Sequence, residues 1–293
     1  MQVALTVWEK EAFASLEVPV PFADVGGLKI FYRTGGKGEA VLLLHGITTY
    51  SFLWKDVTPL LEESFTFFAL DLLGCGDSSR PGNEDYSLSA QADIVLGFME
   101  NVGVAGAHLV GHDIGGGIAQ ILAVRAPERF LSLTLVNSVG YDYWPVQPIV
   151  SMRVPLLKHL AMAAFDRGVL RMLVQRTFHH KEKVDADLIA EFMRPLQTAE
   201  GKAGFFALAR ALDNTQVLKI VDELPKLRMP VLIIRGEKDI YLKPIISERL
   251  HGDMAGSRYE VIDTAGHYSP LDEPGRVAEL LLAHLGAGVT DAA

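Results

Sequence analysis

The chain has 293 residues, 49% of them hydrophobic, and a formal net charge of −9. That length supports a full-sized core, either as two domains or as one large α/β domain with an insertion. The acidic balance, with no basic run, argues against a nucleic-acid or anionic-membrane partner. One cysteine, Cys75, leaves no intramolecular disulfide and fits a reducing cytoplasm. Met1 to Phe13 shows no secretory pattern, no apolar run approaches a membrane span, and no Cys or His spacing suggests a metal.

In chain order, residues 1–16 are weakly periodic and read as a lead-in. Glu17 to Val25 and Leu28 to Tyr32 are β-prone runs joined by Gly26-Gly27, a hairpin. Ala40 to Leu44 is a continuous apolar strand ending at His45-Gly46. Ser51 to Glu63 reads as a helix, Phe65 to Asp71 as a strand, and Ser87 to about Val102 as a helix. Further strands are expected at Phe130 to Asn137, Val231 to Arg235 and Tyr259 to Asp263, with a closing helix from Arg276 to Leu285. Apolar strands alternating with helices imply a mostly parallel sheet covered on both faces, with ligands at the carboxyl ends of the strands.

The block from about Tyr141 to Leu224 interrupts this alternation with helical segments only. It reads as a helical cap (141–224) inserted between two parts of an α/β core, 1–140 and 225–293. Met152, Met162, Phe165, Met172, Phe192, Phe205 and Phe206 either line an apolar pocket beneath it or pack its helices together.

Residues 108 to 119, His-Leu-Val-Gly-His-Asp-Ile-Gly-Gly-Gly-Ile-Ala, carry the chemistry. A short apolar run meets Gly-x-Asp-x-Gly and continues at helical spacing, so strand, sharp turn and helix follow one another. Such a turn strains its middle residue and lifts that side chain above the sheet. Alone, the stretch is equally a Gly-rich helix start with Asp113 as N-cap. Asp239 after a later strand and His267 after the last one complete a nucleophile, acid, base order: Asp113, Asp239, His267. Glu237, on the same loop, is the alternative orienter of the histidine. The amides of Ile47 and Ile114 are placed to form an oxyanion hole.

His45 to Trp54, Asp71 to Ser78, Gly111 to Gly116 and Gly266-His267 with Glu273-Pro274 together resemble the loops of the α/β-hydrolase fold, in the epoxide hydrolase and haloalkane dehalogenase branch. The resemblance implies an α/β-hydrolase fold with an inserted cap, no cofactor, and an aspartate nucleophile that forms an alkyl ester. The chain departs from the dehalogenases at Ile114, where their halide-binding Trp stands. Trp144 is the only Trp in the cap. Tyr50, Tyr141 and Tyr143 are the candidates for the acid that epoxide hydrolases take from cap tyrosines. Epoxide opening therefore ranks first. Carbon–halogen cleavage follows, then ester, lactone or carbon–carbon hydrolysis. A lyase or receptor on the same fold is the rival class. The expected partner is a small uncharged organic substrate, for a monomer or homodimer. His45 and His112 are expected to support loops, His179 and His180 to be solvated, and Cys75 to fill space.

Overall fold

The computed structural model describes residues 21–147, 149–150 and 170–286. The lead-in at 1–16, the start of the strand expected from Glu17, and Met152, Met162 and Phe165 lie outside them.

Eight strands form one sheet. They are β1 (Phe22–Val25), β2 (Leu28–Gly36), β3 (Glu39–Leu44), β4 (Phe65–Leu70), β5 (Ala107–Asp113), β6 (Phe130–Ser138), β7 (Val231–Gly236) and β8 (Arg258–Ile262), in the spatial order β1-β2-β4-β3-β5-β6-β7-β8. The pairs β1–β2 and β2–β4 are antiparallel, and every later pair is parallel. The central strands are apolar throughout because both faces are covered. Val41 to Leu44, Leu109, Val110, Leu133, Leu135 and Leu232 to Ile234 are buried.

Helix α1 (Leu88–Asn101) starts where Ser87 accepts a hydrogen bond from the Ala90 amide. Helix α2 (Ile114–Arg125) leaves directly from β5 and is buried over most of its length. Between β6 and β7 the described residues form only helices: α3 (Leu170–Thr177), α4 (Ala186–Met193), α5 (Ala199–Ala211) and shorter turns. Helices α6 (Pro244–Asp253) and α7 (Pro274–Leu285) close the chain. No helix among the described residues is long and apolar enough to cross a membrane.

One element differs from expectation. The single helix read over 51–63 is a 3-10 turn at Ser51–Trp54 followed by a short helix at Thr58–Leu61. Pro59 stands in the first turn of the second piece, where its missing N–H costs nothing; inside one long helix it would remove a ladder bond.

The strand order sets the site. From β3 the chain crosses outward to β4, then returns to β5 on the other side of β3, so the connections diverge at the β3–β5 crevice. The carboxyl ends of β3, β5, β6, β7 and β8, with the loops that follow, carry Ile47, Asp113, Asn137, Asp239 and His267, and those five strands are consecutive neighbours in space.

Candidate active site

Asp113 ends β5 at φ +52° and ψ −117°, a strained conformation for a residue with a Cβ. The turn closes because its flanks lack side chains. A Cβ on Gly111 would stand 2.3 Å from the Gly115 carbonyl oxygen, and one on Gly115 would stand 2.5 Å from that of His45. The strain thus holds the Asp113 carboxylate at the β3–β5 crevice.

The Ile47 amide donates to Asp113 Oδ1 at 3.0 Å, and the Ile114 amide favours the charged form of this carboxylate. Burial pushes the Asp113 pKa up, against the pull of His267 and these two amides. His267 and Asp113 sense each other's charge.

His267 Nδ1 is 3.0 Å from Asp239 Oδ2. With Nδ1–H donating to the carboxylate, Nε2 carries a lone pair, and it makes no hydrogen bond to the described residues. Asp239 is saturated. Its Oδ1 accepts from the amides of Tyr241 (2.8 Å) and Leu242 (3.1 Å), and its Oδ2 accepts from Asn137 as well as His267. Burial alone would raise its pKa, but His267 and these donors hold it down at about 2. Burial likewise pulls His267 down, and the charges of Asp239 and Asp113 lift it above the usual imidazole value. Glu237 is not the orienter; it is half exposed and meets Arg235 at 3.3 Å.

Asn137 escaped the sequence reading. It sits at φ +42° near the end of β6, donates to Asp239 Oδ2 at 2.8 Å, and accepts from Ser269 Oγ at 2.5 Å. Its place between β5 and β7 became visible only with the strand order.

The supporting histidines fit their expected roles. His45 Nδ1–H donates to the Gly46 carbonyl at 2.8 Å, and Nε2 accepts from the Leu72 amide at 2.9 Å. His112 Nε2–H donates to the His267 carbonyl at 2.9 Å. Burial lowers their pKa values to about 4 and about 3, so both are neutral supports. His180 differs from expectation. It lies 2.8 Å from Glu273, and the amides of His179 and His180 donate to the buried Asp272 carboxylate, which also accepts from Gly266. The Thr177 carbonyl accepts from the His267 amide at 2.9 Å, so the stretch after α3 holds the histidine's loop in place.

Two of the three candidate tyrosines are committed elsewhere. Tyr50 is fully buried, donates to Glu191 and accepts from Arg194 Nε at 2.8 Å. Tyr141 donates to Asp253 at 2.8 Å, on the α6 side, under the Arg249 guanidinium. Tyr143 is half-buried beside the Tyr141 ring. Trp144 is buried, and its indole N–H has no hydrogen-bond partner among the described residues. Tyr241 and Tyr268, which sequence reasoning passed over, flank His267: their rings stand 5.2 Å and 4.9 Å from its imidazole.

A small cavity of about 30 Å³ lies between Thr48, Thr49, Gly74 and Cys75 of the core loops and Phe192, Pro195, Leu196, Gly201 and Phe205 of the inserted helices. Phe192 and Phe205 line this cavity, one of the two roles open to them. Met172 does not follow them, being 52% exposed. Cys75 is a buried wall whose thiol burial pushes up to about 12, so it is no nucleophile.

A family model described as alpha/beta hydrolase fold matches residues 39–274. The chain is 28% identical to monoacylglycerol lipase abhd6-A of Xenopus laevis, over 93% of this chain and 84% of that protein. It is 26% identical to haloalkane dehalogenase 2 of Mycobacterium bovis, over 88% and 92%. A loop variant of haloalkane dehalogenase DbeA from Bradyrhizobium elkanii shares the fold with a TM-score of 0.81 at 21% identity, over 93% of this chain and 98% of that one.

Proposed function

The chain belongs to the alpha/beta hydrolase fold family, and we propose that it hydrolyses small uncharged electrophiles, epoxides first, through an alkyl ester on Asp113. One observation carries this reading: the Ile47 amide donates to Oδ1 of Asp113 itself, and the Ile114 amide favours the charged form of the same carboxylate. In a serine hydrolase such amides await an oxygen of the substrate. Here the oxygen that the Ile47 amide holds becomes the carbonyl oxygen once the other carboxylate oxygen has bonded to carbon. It then becomes the oxyanion when water attacks that carbonyl.

The geometry supports the following steps. Asp113 displaces a leaving group from an sp3 carbon. His267, with Nε2 free and its tautomer held by Asp239, draws a proton from water. The hydroxide adds to the Asp113 ester carbonyl, the amides stabilise the negative oxygen, and collapse frees the alcohol, which takes the proton from His267. Residues 141–224 serve as the cap over this site. Its attachments support that role: Thr177 to the His267 loop, and Arg194 to Tyr50 and Asp77. The proposed enzyme needs no cofactor and works in the cytoplasm, as a monomer or homodimer.

Carbon–halogen cleavage is the second reading, favoured by the buried indole N–H of Trp144, unpartnered among the described residues and a donor suited to a leaving halide. Bromide inhibition that disappears in Trp144→Phe supports it.

The test of the main reading is intact-protein mass spectrometry of His267→Gln with styrene oxide and with 1-bromohexane. The expected result is a stable adduct of the whole epoxide, absent from Asp113→Asn. In wild-type protein turning over once in 18O-labelled water, label should enter Asp113 rather than the product. Label appearing directly in the first-turnover product makes Asp113 a general base and overturns the ester.

A further inference from the structure

We propose that Tyr268, hydrogen-bonded to Thr48, is the acid that protonates the leaving oxygen, in place of a tyrosine from the cap. The inference rests on the ester reading above and names the group that reading lacks.

Opening an epoxide at neutral pH produces an alkoxide, a poor leaving group unless a donor meets it. The donor must stand beside Asp113 and keep its proton while no substrate is present. Tyr50 and Tyr141 fail the first condition, since each hydroxyl is spent on a carboxylate away from Asp113. Tyr268 satisfies both. It follows His267 directly, and its ring packs on His267 at 4.9 Å and on His112 at 6.0 Å. Its hydroxyl lies 2.8 Å from Thr48 Oγ1. Thr48, at φ +73°, is the residue after Ile47, whose amide holds Asp113. The Tyr268 hydroxyl is thus tied to the loop that forms the oxyanion hole.

Thr48, one partner of the pair, also borders open space. Thr48 is a wall of the cavity, and so is Phe192, whose ring packs edge-on against Tyr268 at 5.1 Å. The residue that shares the Tyr268 hydroxyl's hydrogen bond therefore lines a mostly apolar pocket, one residue from the oxyanion amide. Burial, and the negative charges of Asp113 and Asp239, keep Tyr268 protonated in the resting site.

The proton count closes. Asp113 forms a bond to the epoxide carbon, the carbon–oxygen bond breaks, and its electron pair goes to oxygen. That oxygen takes a proton from Thr48, which takes one from Tyr268, leaving a tyrosinate. When water later adds to the ester and the intermediate collapses, Asp113 emerges as a carboxylic acid and returns the proton to Tyr268. His267 only carries water's other proton to the departing alcohol.

Tyr241 is the built-in comparator. Its ring also packs on His267, and it senses Asp113, but its hydroxyl makes no hydrogen bond to the described residues.

The experiment separates the two half-reactions with styrene oxide under single turnover, following ester formation and ester decay by rapid quench and mass spectrometry. Tyr268→Phe should slow ester formation by about 100-fold, within the range for loss of an acid, and leave decay within about 2-fold. Thr48→Val should slow formation by about 10-fold or more, and Thr48→Ser should restore it. Equal slowing of both half-reactions in Tyr268→Phe marks a purely structural role and overturns the proposal. So does unchanged ester formation, or a loss confined to Tyr241→Phe. If His267→Gln with Tyr268 intact forms no adduct with any epoxide, the ester reading itself has failed, a result distinct from all of these.

Discussion

Asn137 donates its side-chain amide at 2.8 Å to Asp239 Oδ2, the same oxygen that accepts from His267 Nδ1 at 3.0 Å. The carboxylate of the proposed triad is therefore oriented from β6 as well as from its own loop. Asn137→Leu removes that donor and leaves Ser269 Oγ and the Gly236 amide short of their acceptor. A buried hydrogen bond broken from one side costs about 1–3 kcal/mol. The expected outcome is a melting temperature lower by several degrees, with kcat reduced about 10-fold. Unchanged kcat in a folded Asn137→Leu protein would mean that Asp239 needs no support from β6.

Gly46→Ala tests the proposed oxyanion hole without replacing a residue of the proposed triad. The added Cβ would stand 2.6 Å from Asp113 Cβ and 2.8 Å from its Oδ1. The loop must move, and the Ile47 amide moves with it. Losing one oxyanion donor costs about 100-fold to 1,000-fold in kcat. We expect a loss of that order in ester decay, with circular dichroism unchanged. A folded Gly46→Ala protein with native turnover rules out the Ile47 amide as a donor.

The strand-end residues were readable because continuous apolar runs mark buried parallel strands, and each run stops at a short polar loop. Asp113, Asp239, His267 and Ile47 could be named on that basis. Asn137 could not, since its function depends on φ +42° and on a neighbour 102 residues away. Tyr50 and Tyr141 misled for a related reason. They stand close in sequence to the oxyanion loop and to the cap's first residues, but their hydroxyls turn to Glu191 and Asp253, partners contributed by α4 and α6. Tyr268 is adjacent to His267 in sequence, but only the contact with Thr48, 220 residues away, gives its hydroxyl a place.

Arg194 links the inserted helices to the core. Its Nη1 reaches both oxygens of Asp77 at 3.0 Å, its Nε donates to Tyr50, and its guanidinium lies 4.4 Å over the Tyr50 ring. Arg194→Met keeps much of the apolar stem but strands Asp77 and Tyr50. The expected loss is about 1–3 kcal/mol, seen as a lower denaturation midpoint and faster limited proteolysis between residues 177 and 226. Proteolysis at the wild-type rate would show that this cluster does not fasten those helices.

The pH dependence follows from the same charges. Burial pulls His267 down, but Asp239 first and Asp113 after it lift the imidazole above its ordinary value of 6.5. Only neutral His267 can take water's proton, so ester decay should rise with pH as the imidazole of the alkyl-enzyme loses its proton. Esterification removes the charge of Asp113. His267 should then titrate lower in the alkyl-enzyme than in the free protein. The kcat midpoint, with ester decay limiting, should therefore fall below the His267 midpoint measured by NMR without substrate. Asp113→Asn should lower the free-protein midpoint, and Asp239→Asn should lower it further. Stability carries the opposite signs for the two partners of this one interaction. The His267 contribution is present in full below pH 6.5 and is lost as pH rises through the raised value. The Asp239 contribution is present above its ordinary value of 3.8 and is lost as pH falls to about 2. Denaturation midpoints measured from pH 2 to 9 should show both limbs in wild-type protein and neither in Asp239→Asn. Coincident NMR and kcat midpoints would mean that Asp113 keeps its charge through turnover, and the ester would be excluded.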